Sequence, residues 1–424
     1  MIEMKAGKEN DYVFNFTLSK YVGLYQVLHP NTKTLFGYNM YHIVIVFFGL
    51  LTLSVCLLFP IGLYHLMNDV TAFILYIGCI DNFVFSCCKV INILYYIEDI
   101  WKCIDVTGFG FMKYKHYDVN VFKKWRRLCV QITYICSSLT FFALICWNSS
   151  PLILNNTKIR IRNLDGSYNT YRLNVFNVYI MASEETYNEH FYVYFFIETI
   201  IGICFTYFTV IFDIFMITMC FALTCQLETV CHAIQSLGYG RAMDRRSSTN
   251  GLTTSEKKRK VNDDLKQILS DHKNILTKMN DYYKIVRTIT LSQIFVAASS
   301  HVFIWFIAAM SFDEGDTRDS ILSIKLFIVL PVFTFQLYVT CVLFGTINEK
   351  KDAIIFALYS SNWMDMNMES RKLIVCAMNM NNANQLKLKF TDTKIVNLEM
   401  FSHTMRLCYS IFSMLINHNK SKHK

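Results

Sequence analysis

The chain has 424 residues, of which 53% are hydrophobic, 15% aromatic and only 17% charged, and its formal net charge is +9. A water-soluble chain of this length would divide into domains and carry more charge, so that class is excluded. What remains is an all-α integral membrane protein, because lipid leaves the backbone of an open sheet or loop unsatisfied.

The elements follow in chain order. Residues 34–68 contain no Asp, Glu, Lys or Arg, and 41–65 predicts the first membrane span, since about 20 apolar residues cross the hydrocarbon core. The second is 70–94, interrupted by Asp81 and Lys89. The third is 128–152, and the fourth is 191–213, continuing as helix to about 227. The fifth and sixth are 288–312 and 320–346. The seventh, 397–417, is the least apolar. A long polar segment, 228–287, separates spans four and five, and a polar stretch, 347–396, separates six and seven. The chain thus divides into a six-span bundle (1–346), a connecting region (347–396) and a last helix with a short tail (397–424).

Lys and Arg set the orientation. Segments 1–40, 95–127, 228–287 and 347–396 hold 4, 7, 12 and 7 of them, whereas 66–69, 153–190, 313–319 and 418–424 hold 0, 4, 1 and 3. The first set is therefore cytoplasmic. The N-terminus is inside and, after seven crossings, the C-terminus is outside. This is opposite to a G-protein-coupled receptor. The seventh span also lacks NPxxY, and Asp244-Arg245-Arg246 sits in a polar loop rather than at the end of a third span.

No hydrolase elbow, phosphate loop, HExxH or Cys/His metal spacing is present, so the chain reads as no enzyme, with no metal or cofactor and no nucleic-acid partner. Most of the 15 cysteines lie in apolar runs, where a thiol behaves as a small hydrophobe. Asn155-Asn156-Thr157 is a sequon, with Asn155 just beyond the third span. Arg245-Arg246-Ser247-Ser248 has the form of a basic-directed kinase site.

The last span carries a polar stripe. At 100° per residue His403, Arg406, Ser410, Ser413 and Asn417 fall together, with Leu407, Ile411 and Met414 beside them. Such a stripe must face protein or water. Helix packing through polar residues is one use. The other is a pore shared by several subunits, in which a bulky apolar residue gates by dewetting. Met414 is the first candidate gate, followed by Leu407, Ile411 and Leu415, with Ser410 and Asn417 lining the path.

Here the C-terminal third becomes specific. Ala357-Leu358-Tyr359-Ser360-Ser361-Asn362-Trp363 resembles the A-x-Y-x-x-x-W element of insect odorant receptors. Asp271-His272-Lys273-Asn274-Ile275-Leu276 resembles a second element of that family, and Arg406 to Leu415 resembles its closing pattern. Cys408-Tyr409 and Ser413-Met414 stand where the related gustatory receptors usually carry Thr-Tyr and Gln-Phe. The resemblance implies an odorant-binding subunit of a four-subunit, ligand-gated, non-selective cation channel in the plasma membrane of olfactory neurons. It implies assembly with the shared co-receptor (Orco), which is longer and carries an extended intracellular loop. In that reading 347–396 forms a cytoplasmic anchor where subunits meet, and permeating cations pass along the last helix. The alternative is a gustatory-type homotetramer.

The resemblance further implies a pocket in the outer half of the membrane among spans two to six. The outer residues there are Phe73, Tyr76 and Ile80; Thr140, Ala143 and Trp147; Tyr194, Ile197, Glu198 and Ile201; His301 and Trp305; and Phe327 and Leu330. Trp147 leads, because the family places a pocket tryptophan at that depth. A volatile ligand needs an enclosed apolar site with one or two polar handles. Glu198 and Lys325, both near outer ends of spans, are read as an ion pair or as snorkelling to the interface.

Overall fold

The computed structural model describes residues 9–239 and 254–422, except 31, 33, 36, 69, 155–156, 163–165, 179–182, 315–316, 384–385 and 392–393. Asn155, Ser247 and Ser248 lie outside the described residues, as does the side chain of Leu415.

Among the described residues, six helices are long and apolar enough to cross a membrane: α3 (Met40–Leu66), α4 (Val70–Tyr95), α6 (Val119–Ile153), α8 (Phe191–Gln235), α9 (Thr254–Glu314) and α10 (Thr317–Ser360). Short helices α1 (Phe16–Val22), α2 (Leu24–Leu28) and α5 (Ile97–Cys103) precede α6, and α7 (Glu184–Glu189) precedes α8. α11 (Met368–Ala383) and α12 (Leu398–Lys422) complete the chain. Two antiparallel hairpins punctuate it, β1–β2 (Thr34–Leu35 with Tyr38–Asn39) and β3–β4 (Lys158–Arg162 with Tyr168–Arg172). α12 is helical as expected but does not reach the apolarity of the other six.

The sequence reading departs most from the structure between 254 and 287. That polar segment is not a loop but the first half of α9, continuous with the fifth span. Its apolar residues recur at helical spacing. Leu265, Ile268, Ile275, Met279, Tyr282 and Val286 are all fully buried, the stripe of an amphipathic helix. At about 1.5 Å per residue, α8 is roughly twice as long as the ~30 Å hydrocarbon core. It therefore projects beyond any membrane, as α9 and α10 do. The projecting halves build the main core at the Lys/Arg-rich end of the bundle, where Phe208 to Ile234 of α8 is buried on nearly every side.

The quoted motifs hold this basic end together. The Asp271 carboxylate accepts the backbone N–H groups of Lys113 and Tyr114, each at 3.0 Å, and the Tyr117 hydroxyl at 3.0 Å. It thereby ties the 104–117 connection to α9. Ala357 and Leu358 are fully buried. Just beyond them the Asn362 N–H donates to Leu237 O at 3.2 Å, closing the end of α10 onto the end of α8. Gly238 turns there with φ +81°, and its α-carbon faces Asn362 so closely that a β-carbon would meet it at 3.1 Å. Glu228 joins Lys350 (2.7 Å) and Lys124 (3.5 Å). Burial opposes ionisation of that carboxyl, but the two ammonium groups outweigh it and hold its pKa below the usual value.

His272 is buried outside the membrane-spanning stretch, and its Nε2 has no hydrogen-bond partner. Burial, then the Lys351 charge, pushes its pKa down to about 4. A folded pKa below the unfolded 6.5 means that the unfolded chain binds the proton first. Stability is full above about pH 6.5 and is lost as pH falls towards 4. Thermal melting of the purified protein should show Tm dropping over that window, with a shallower drop in His272→Gln. Parallel pH profiles for the two proteins would refute this assignment.

Candidate ligand cavity and its roof

At the end of the bundle that carries β3–β4, five helices enclose an apolar cavity of about 150 Å³. That is the scale of a dry cavity that accepts a benzene-sized molecule. α4 contributes Ile74, Leu75, Gly78, Cys79, Asn82 and Phe83, and α6 contributes Thr140, Ala143, Leu144 and Trp147. α8 presents Gly202, Phe205, Thr206 and Thr209; α9 presents Ser300, Phe303, Ile304 and Ile307. α10 closes the ring with Leu326, Val329, Val332, Phe333 and Gln336, and Phe176 enters from the connection before α7. Each helix offers residues three or four apart, one face turned inward.

The polar handles are few. Asn82 Nδ2 donates to Ser300 Oγ at 3.1 Å across the α4–α9 seam. Gln336 stands at the deep end and donates to Asp213, which also receives Lys89 Nζ at 2.8 Å. Lys89 is 1% exposed and rests beside the rings of Phe85 (5.0 Å) and Phe212 (5.5 Å). A buried ion pair thus lies beneath the cavity floor, linked to it by one amide.

The segment 173–178 forms the roof. Glu198, fully buried, accepts three successive backbone N–H groups, from Phe176 (2.7 Å), Asn177 (3.1 Å) and Val178 (2.9 Å). Lys325 Nζ donates to the carbonyls of Asn174 (3.0 Å) and Val175 (3.5 Å) and lies 5.1 Å over the Trp147 ring. Trp147 Nε1 also donates to Val175 O at 3.0 Å. The Phe176 ring, drawn down between Phe83 (5.0 Å) and Trp147 (6.3 Å), caps the opening. The ring lies directly over Gly202 of α8, where a β-carbon would stand 3.4 Å from it, an ordinary van der Waals contact. Glu198 and Lys325 are therefore neither paired directly nor snorkelling. Both grip the same loop.

Of the residues singled out in the sequence, Thr140, Ala143 and Trp147 line the cavity. The others lie elsewhere. Tyr76 is turned to α3, edge-on to Phe59 (5.1 Å) and above Gly62, and Ile80 and Ile201 join that same packing cluster. Phe73 is half-buried outside the cavity. Tyr194 stacks on Tyr187 at 4.8 Å, and Ile197 is exposed. His301 is fully buried and bridges α9 to α10 through Thr334 Oγ1 at 2.9 Å. Leu330 packs behind the wall with Ile304 and Leu326. Trp305 lies against Phe412 of α12 (4.8 Å) and edge-on to Phe327 (6.0 Å). The inner residues of α8, α9 and α10 carried a usable signal, the 3–4 spacing of 202–206–209, 300–304–307 and 329–333–336. The roof residue Phe176 carried none.

α12 docks on α9 and α10 through Phe401, Cys408 and Phe412. Leu407, Ser410, Met414 and Asn417 are exposed along another line of the helix, with Ile411 half-covered between them.

The sequence model of the 7tm Odorant receptor family matches residues 69–409. The chain belongs to that family. Odorant receptor 46a, isoform B, of Drosophila melanogaster is 26% identical over 108 residues, which span 26% of this chain and 27% of that receptor. The fold is similar to that of the insect olfactory receptor OR5 from Machilis hrabei. In complex with eugenol, OR5 matches with a TM-score of 0.71 and 15% identity, covering 95% of this chain and 98% of that one. A second OR5 structure gives a TM-score of 0.70 and 14% identity, covering 94% and 97%. The receptor is thus a multi-pass helical membrane protein of the odorant-receptor class, with the olfactory-receptor fold over nearly its whole length.

Proposed function

We propose that this receptor is the odorant-binding subunit of a ligand-gated cation channel, opened by a small volatile molecule in the α4–α6–α8–α9–α10 cavity and assembled with the odorant co-receptor. The observation that carries the reading is the apolar cavity between five helices, with polar atoms at Asn82, Ser300 and Gln336. Such a site suits a compact, largely apolar molecule with one hydroxyl or carbonyl group. The basic end faces the cytoplasm on the Lys/Arg distribution, which turns the roof outward.

One helix joins the ligand site to the pore. On α9, Ile304 and Ile307 face the cavity while Trp305 packs on Phe412 of α12. A ligand that binds better when α9 has shifted draws α12 with it, and the channel population moves towards open. The exposed line Leu407, Ser410, Met414 and Asn417 is the face that looks to the shared pore, with Met414 as the leading gate residue.

The test is whole-cell current in cells expressing this chain alone, with an insect co-receptor, or the co-receptor alone, against a panel of C6–C10 alcohols, ketones, esters and phenols. Rapid current that needs this chain and the co-receptor together, without added G protein, is the expected result. Current from this chain alone would replace the reading with a self-sufficient gustatory-type channel.

A further inference from the structure

The roof is built unlike the rest of the membrane-embedded structure. Two oppositely charged side chains, Glu198 fully buried and Lys325 3% exposed, approach the same six-residue segment, 173–178, from two different helices. Neither spends its charge directly on the other. Buried charges are costly unless paired or fully hydrogen-bonded, so their placement needs a return. Glu198 collects three consecutive N–H groups and Lys325 two consecutive carbonyls. The loop between them turns through the left-handed region. Asn177, with φ 51°, is the one non-glycine residue of positive φ among the described residues. Strain of that kind persists only where surrounding contacts over-determine it. The Asn177 side chain spans the bend, accepting from Asn174 N (3.0 Å) and donating to Arg172 O (3.1 Å).

The result is a plug of one aromatic side chain on a strained backbone, held by a charge at each end. Behind it, the cavity wall is carbon-rich, with polar side chains at Asn82, Ser300 and Gln336.

We propose that Glu198 and Lys325 are positioning residues that latch Phe176 as a removable roof, and that ligand enters and leaves the cavity from the aqueous side by unlatching 173–178. This rests on the cavity being the ligand site, but its test needs no ligand. Strain at Asn177 favours release, the two charge-assisted grips oppose it, and their balance sets how often the roof opens. Removing either grip leaves the cavity walls intact and shifts that balance. The consequence for signalling is in kinetics. A weakened latch speeds both onset and decay of the response, where a change of wall residues would alter which ligands act.

Cys79 lines the cavity beneath the roof and reports its opening. The full-length receptor, alone and with glutamine at Glu198, methionine at Lys325 or alanine at Phe176, is exposed on intact cells to a charged, membrane-impermeant methanethiosulfonate, and modification of Cys79 is timed by peptide mass spectrometry. The expected result is modification about tenfold faster in Glu198→Gln and Lys325→Met than in the parent, as befits loss of a charge-assisted grip on a local opening. Because the two substitutions change the charge near the thiol in opposite senses, a rise in both reads access rather than thiol reactivity. In permeabilised cells, where the same reagent reaches the basic end, Cys129 and Cys225, fully buried in its core, must stay unmodified, which separates opening of the roof from unfolding. Phe176→Ala, which keeps both charges, is expected to behave likewise and serves if a charge variant fails to reach the surface. Equal Cys79 rates in parent and variants would overturn the proposal. So would rapid modification of the parent by a membrane-permeant reagent with no acceleration of the impermeant one in any variant, which would place entry between helices from the lipid. An odorant-silent receptor with a latch-dependent Cys79 rate would leave the latch standing and refute only the ligand assignment.

Discussion

Asp213→Ala should remove the receptor from the cell surface. The substitution leaves the Lys89 ammonium 1% exposed, among the Phe85 and Phe212 rings, with its carboxylate gone. Breaking a buried pair on one side costs about 3–5 kcal/mol, because the surviving charge is uncompensated. Against a marginal total of about 5–15 kcal/mol, that is enough to divert most chains to degradation. The Gln336 amide, which donates to Asp213 from the cavity floor, loses its acceptor at the same time. The informative control is the double variant Lys89→Met with Asp213→Leu. Apolar replacement of both partners is often neutral, so surface expression should return to near the parent level. The check is surface biotinylation of the two single variants and the double. If Asp213→Ala reaches the surface normally, the pair is not the constraint on the bundle that its burial implies. If the double is as poor as the single, the loss came from packing and not from an orphaned charge.

Trp305→Ala should leave ligand binding largely intact and lower the maximal current about tenfold. An aromatic pair is worth about 0.5–1.5 kcal/mol beyond its buried area, and 1.4 kcal/mol is a factor of ~10 in an equilibrium. Trp305 faces away from the cavity and touches Phe412 at 4.8 Å, while its neighbours Ile304 and Ile307 line the wall. Removing the indole therefore cuts the contact between the wall helix and the pore helix. The measurement is saturating current per surface receptor, in Trp305→Ala, Phe412→Ala and both together. Because the two rings act through one contact, the double should lose little more than either single. Fully additive losses would mean that α9 and α12 are coupled elsewhere, or that these residues act only through stability.

The sequence reached the architecture because the physics that dictates it is local. Long apolar runs place six of the spans. Even the seventh, less apolar than the rest, was visible as a helix with Phe401, Cys408 and Phe412 on one side and polar residues on the other. The half of α9 taken for a loop was legible too, through the 3–4 spacing of Leu265, Ile268, Ile275, Met279 and Tyr282. Its charged residues masked that pattern. Trp147 was found through a family resemblance, and Ala143 and Thr140 through their positions one and two turns before it.

On α8, α9 and α10 the 3–4 spacing marks a face, but which face of a helix looks into the cavity was not legible, for a plain reason. In a soluble helix the polar side points outward, so the inner face can be read. In lipid both faces are apolar, and Tyr76 on one side of α4 looks as suitable as Leu75 or Cys79 on the other. What turned Tyr76 away was Gly62, 14 positions earlier on a different helix, whose missing β-carbon leaves the space the ring occupies. Glu198 and Lys325 were conspicuous as charges near the ends of apolar spans, yet their use depended on where an intervening loop folded back. By itself, then, the sequence determined the apolar membrane-spanning helices and the end at which positive charge collects, because propensity, hydropathy and charge act within a span or its flanks. Tertiary structure decided which faces enclose the cavity, and how Phe176 comes to close it. Those depend on contacts between residues far apart in the chain, and a hydropathic pattern that is apolar on every side carries no information about them.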